Sequence, residues 1–200
     1  PASVTGSNIR LSAAGNITRG GVDAGTGVVS IIAGGSILDG GDAHRDIIAS
    51  AARLVSGSDI GSSINRLEIS VATLSASATG IISLLESDDI EINSVGLSVN
   101  QVTLDGSTAI ITDLVQSDIS TDVNGSALLT TEAGSITVAD GNGNGSGINA
   151  GSQILLATNS IAATIGVDFA GEANEVNLIA ARAGTLLNGV VLSVVGNGVK

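Results

Sequence analysis

The chain of 200 residues has no cysteine, methionine, tryptophan or tyrosine, and only one phenylalanine, one proline and one histidine. Without thiols there is no disulfide framework and no thiolate metal site, so haem, zinc-finger and cysteine-nucleophile chemistry are excluded. Without rings the core lacks the residues that ordinarily fill domain centres, each of which buries roughly 150–250 Å². Positive charge is scarce too. Seven Lys and Arg stand against 19 Asp and Glu, a formal net charge of -12. That balance repels phosphate backbones, and no basic cluster or stacking platform interrupts it, which argues against a nucleic-acid partner.

Long uninterrupted apolar runs are missing as well. The stretches from Ile69 to Leu85 and from Ala183 to Val199 are uncharged but are broken every few residues by Ser, Thr, Asn or Gly. A membrane helix needs about 20 mostly apolar residues, so both suit strands and turns better. The chain opens PASVTGSN, with no initiator Met, cationic segment or apolar signal region, as expected of a mature or excised segment of a longer protein. A disordered acidic chain is a poor reading, because 43% of residues are hydrophobic and the mean hydropathy is +0.48.

What the chain does have is aliphatic repetition. Alternating aliphatics, then small or polar residues, then Gly, Ser, Asn or Asp directly before one Ile recur as IRLSAAGNI, VSIIAGGSI, ARLVSGSDI, ISLLESDDI, DLVQSDI, LLTTEAGSI and ILLATNSI, with a degenerate LIAARAGTL. The anchors are Ile17, Ile37, Ile60, Ile90, Ile119, Ile136, Ile161 and Leu186, separated by 20, 23, 30, 29, 17, 25 and 25 residues. A spacing in this range is the mark of a solenoid. Within IRL, VSII, LEISV, DIEIN, QVTL and SITV the apolar residues alternate with period two, which is strand character. Only Ala43 to Ser56 carries helix-like spacing, and a strand with a turn fits it equally well.

These features predict an all-β fold, a right-handed parallel β-helix of about eight to ten coils, in which equivalent Ile, Val and Leu stack as ladders at the 4.7–4.9 Å strand spacing. The anchor is expected at one inward corner, coil after coil. The two wide gaps are expected to hold an extra short coil each, around Leu74 and Leu104, or a surface loop. Residues 1–165 form the repeat region; residues 166–200, with Phe169, Glu172 and Glu175, are a terminal coil with a cap or the start of another β module. The competing fold is an antiparallel β-sandwich, which would show larger core residues and no recurring anchor.

The succession GNI, GSI, SDI, GSI and NSI in a Cys-free, aromatic-poor chain resembles the β-helical repeat region of large secreted bacterial exoproteins, the filamentous-haemagglutinin-like adhesins and contact-dependent-inhibition exoproteins of two-partner secretion. The resemblance covers roughly Ser7 to Thr164, and its motifs are shared with other β-solenoids. It implies an extracellular or cell-surface stalk or filament segment that is not an enzyme, needs no cofactor, joins further β modules end to end and holds a recognition tip toward glycans or proteins.

Three stretches bear on chemistry. In LDGGDAHRD, Asp39, Asp42, His44, Arg45 and Asp46 lie together, as in carbohydrate-active β-helices, but no nucleophile motif accompanies the lone His. Asp88, Asp89 and Glu91 in SDDIEIN suggest paired glycosidase carboxylates, although charges beside a sheet edge also prevent aggregation. In ADGNGNGSGIN, Asp140, Asn142 and Asn144 alternate with Gly, like the first half of a calcium loop whose second half is absent; they are the candidate Ca²⁺ ligands, with a plain protruding loop as the alternative. An ice-binding surface would need regular ranks of Thr, and the Thr residues here are scattered. The readings from other classes are therefore a carbohydrate-active β-helix and a calcium-binding matrix or surface-layer module.

Overall fold

A computed structural model describes residues 4–42, 44–159 and the strands at 165–168, 175–180 and 192–195. Among these residues the protein is all-β, with no helix and therefore none able to cross a membrane. The strands are β1 (Val4–Thr5), β2 (Ile9–Ala13), β3 (Ile17–Arg19), β4 (Val22–Asp23), β5 (Val28–Ala33), β6 (Ile37–Asp39), β7 (Ile47–Ser56), β8 (Leu67–Ala78), β9 (Ile82–Glu86) and β10 (Ile90–Ile92). They continue as β11 (Ser94–Val102), β12 (Thr108–Ser117), β13 (Ile119–Thr121), β14 (Ala127–Thr131), β15 (Ile136–Val138), β16 (Ile148–Asn149), β17 (Gln153–Thr158), β18 (Ile165–Asp168), β19 (Glu175–Ala180) and β20 (Leu192–Val195). The segment with helix-like spacing is strand β7, whose β-branched and small residues alternate between buried and outward positions.

Sixteen strands share one sheet, and every pairing within it is parallel. Residues in register form long columns. One runs Ile9, Val29, Ala52, Leu74, Ile92, Val138, Val167, Val194. A second runs Ile17, Ile37, Ile60, Ile82, Ala127, Ile154, Val176. A third runs Val22, Ile47, Ile69 and ends on the carboxyl-bearing Glu86.

The expected anchors therefore do not share one corner. Ile17, Ile37 and Ile60 stack together, but their successor is Ile82; Ile90 and Ile136 belong to another column, and Ile119 pairs with Ala76 and Ile148. Ile161 and Leu186 lie outside the described residues. Ile31, Ile37, Ile47, Leu54, Ile60, Leu67, Ile69, Leu74, Ile82, Leu84 and Ile92 are fully enclosed. Burying each contributes about 1.5–3 kcal/mol, and stacking of like branched aliphatics fills the interior without rings.

The polar residue before each Ile also has a structural cause. Asn8 Oδ1 accepts the backbone N–H of Val28, Asn16 Oδ1 that of Ser36, Asp46 Oδ2 that of Glu68, Asp59 Oδ1 that of Ile81 and Asp89 Oδ1 that of Ser135, at 2.6–3.0 Å. In each case the donor precedes the next residue of the same column. The side chain thus satisfies an amide at the turn, where the ladder has no partner for it. Close stacking at the turns also selects glycine: a Cβ on Gly57 would sit 2.2 Å from the carbonyl oxygen of Gly34, and one on Gly34 2.2 Å from that of Ala14.

The two wide gaps resolve differently. Leu74 sits inside the ladder between Ala52 and Ile92. Leu104 is fully exposed at the tip of an antiparallel hairpin formed by β11 and β12. This hairpin leaves the sheet after Ile92 and returns at Ile119, and β11 lies against β2, β5, β7 and β8.

Candidate functional site

Asp39 ends β6, a loop with Gly41 at φ 80° turns the chain, and Asp46 leads into β7 one strand above Glu68, the residue leading Ile69 in β8. Asp46 holds the turn position described above, and Glu68 holds the equivalent position one strand on. As a result, one oxygen from each of Asp39, Asp46 and Glu68 lies within 4.8 Å of the other two.

Each aspartate is oriented by a backbone amide. Gly41 N–H donates to Asp39 Oδ1 at 2.9 Å, and Glu68 N–H donates to Asp46 Oδ2 at 3.0 Å. Asp39 Oδ2, Asp46 Oδ1 and Glu68 Oε2 are enclosed and have no hydrogen-bond partner while the acids are ionised; when Asp46 carries a proton it shares it with Glu68. Asp46 is completely buried, Asp39 is 7% exposed and Glu68 is half-buried. Burial, reinforced by the neighbouring carboxylates, pushes Asp46 up to about 8, and burial likewise raises Glu68. Arg45 lowers Glu68 in part, but its guanidinium is engaged with Glu132.

The sequence grouped Asp39, Asp42, His44, Arg45 and Asp46, and the structure separates them. Asp39 and Asp46 converge. His44 stays 82% exposed with Nδ1 3.2 Å from Asp42, whose carboxyl is lowered chiefly by the His44 backbone amide. Glu68 was missed. Its signal was the acid-before-Ile pair Asp46-Ile47 and Glu68-Ile69, which stack only once the register is known.

The other candidates do not converge. Asp89 accepts the Ser135 amide, Glu91 Oε1 accepts from Asn93 Nδ2 at 2.8 Å, and Asp88 is exposed. In the Gly-rich loop, Asp140 accepts the amides of Gly143, Asn144 and Gly145, Asn142 that of Asn144, and Asn144 that of Ser146. These amides lower Asp140. A second enclosed acid, Glu86, accepts from Val71, Ser87 and Asp88, yet burial still pushes it up to about 7.

No protein family matches this chain, and neither a curated protein nor a solved structure matches it.

Proposed function

We propose that the chain is a segment of a right-handed parallel β-helix serving as a stalk or filament piece of a large extracellular bacterial surface protein, mechanical and not catalytic in role. The observation that supports this reading is the eight-membered parallel column from Ile9 to Val194, whose first steps fall at 20, 23, 22 and 18 residues. At about 4.8 Å per strand such a column runs roughly 35 Å. Parallel in-register strands leave unpaired edges at both ends of the stack, and those edges are natural docking points for further β modules of the same or identical chains. Host glycans or proteins would be met at a tip elsewhere.

Small-angle scattering of the chain and of a tandem duplicate tests this. The duplicate should double in length at constant cross-section. A duplicate that scatters as two compact bodies on a flexible tether would overturn the proposal.

A further inference from the structure

Two buried carboxylates and a half-buried third lie within 4.8 Å of one another. An ionised carboxylate moved into a protein interior carries a penalty of several kcal/mol unless a charge or hydrogen bonds compensate it. Here the backbone has taken one oxygen of each aspartate and left the other enclosed without a donor. Among the described residues the one cation that bears on the group is Arg45, and it is paired with Glu132. Two side chains that are more than nine-tenths buried, Asp39 and Asp46, thus each keep an enclosed oxygen that no donor of the fold reaches, in a cluster that brings a carboxylate oxygen of Glu68 within 4.8 Å.

We propose that Asp39, Asp46 and Glu68 form a binding site for one divalent cation of the calcium class, pinning the loop between β6 and β7 to β8. The donor set is oxygen only, which suits a hard cation; cysteine is absent, and His44 is turned to Asp42. Calcium takes oxygen ligands in flexible geometry, whereas magnesium demands a near-ideal octahedron and gives up its water reluctantly, so three carboxylates supplied by separate elements favour calcium. The half-buried Glu68 side is the route of entry and leaves room for water to complete the shell. The site is independent of the stalk reading.

The experiment is thermal unfolding of the full chain at neutral pH, stripped with EDTA and then given calcium chloride or magnesium chloride. With no Trp or Tyr to report, circular dichroism and calorimetry are the readouts. Calcium a hundredfold above its dissociation constant should raise Tm by roughly 5–10 °C, with a smaller rise in magnesium. Asp46→Asn and Glu68→Gln should abolish the rise, and Asp140→Asn should keep it. An unchanged Tm in the parent chain, or a full calcium response in Glu68→Gln, overturns the proposal. Should Asp46→Asn fail to fold, Glu68→Gln carries the same decision, because Glu68 is the least enclosed of the three.

Discussion

The hairpin of β11 and β12 is held on the sheet by side chains, and its weakest point can be chosen in advance. Arg10 Nε donates to both carboxylate oxygens of Asp113, at 2.9 and 3.0 Å, where Asp113 is only 8% exposed. Arg53 Nε donates to the Leu114 carbonyl at 3.0 Å, and Gln116 Nε2 to the Leu54 carbonyl at 3.1 Å. Replacing Arg10 by Ala removes a charge-assisted pair, worth about 1.5–3 kcal/mol, and leaves an acid in a nearly closed place. The Arg10 side chain is itself 26% exposed, and Arg53 still faces Asp113, so the lower half of that range applies, about 2 kcal/mol. A loss of that size raises the opening constant of the hairpin about 30-fold.

An undocked two-stranded hairpin is marginal in water, so its own ladder should open with it. Hydrogen exchange read by mass spectrometry should therefore accelerate about 30-fold across residues 94–117. Amides of β14 and β17 should keep their protection, since β11 packs chiefly on β2, β5, β7 and β8. A double-mutant cycle with Asp113→Ala should return most of the Arg10 effect as coupling. Unchanged exchange in the hairpin, or acceleration spread evenly into β14 and β17, would refute the reasoning.

Ile60 is fully buried and bridges Ile37 and Ile82, so Ile60→Ala should lose about 2–5 kcal/mol and lower Tm by about 10 °C in a dichroism melt. Gly57→Ala, whose Cβ would meet the Gly34 carbonyl at 2.2 Å, should destabilise by about 1–3 kcal/mol, while Gly15→Ala, with nothing within 4 Å, should be neutral or slightly stabilising. Glu86 is held up to about 7, above its ordinary 4.5, so the folded chain keeps a proton that the unfolded chain has lost. Stability contributed this way is full below about pH 4.5 and falls by about 3 kcal/mol as pH rises through 7. Glu86→Gln should flatten that slope in denaturant titrations across the range, and an equal slope in the variant would show that the acid lies elsewhere.

Strand character and parallel columns of aliphatics were legible in the sequence because both rest on local facts. Period-two alternation marks a strand wherever it falls, and an absence of rings leaves only aliphatic stacking for the core. The Asn or Asp before each Ile was visible as a motif, but its cause, an amide on the next strand, depends on three-dimensional register. Ile82 shows the limit. It takes the place expected of Ile90 because DDI at Ile90 copies the motif while II at Ile82 hides it, and only the column decides between them. The acidic site was half legible for the same reason: Asp39 and Asp46 are near in sequence, and Glu68 is near only through the ladder. The hairpin was read as a coil or a loop because QVTL alternates as well as any ladder strand does, and alternation carries no sign for parallel against antiparallel pairing.

The hairpin and the Gly-rich loop are two uses of one opening. Ile92 pairs with Leu74 and Ile119 with Ala76, so all of residues 93–118 stand opposite the single residue Ser75. One strand further on, Val138 pairs with Ile92 and Ile148 with Ile119, so residues 139–147 occupy that same place. The two insertions brace each other: Gly141 N–H donates to Asp118 Oδ1 at 2.8 Å, and Ser94 Oγ donates to the Gly141 carbonyl at 2.7 Å, with Asp118 at φ 69°. The row beneath the hairpin, Arg10, Ser30, Arg53 and Ser75, is polar throughout, so water can replace the hairpin at little cost. Substituting one Ser for residues 93–118 should therefore leave an uninterrupted strand and a chain that melts in a single transition with its strand dichroism intact. Loss of cooperative melting in that variant would mean that the hairpin is part of the fold and not an addition to it.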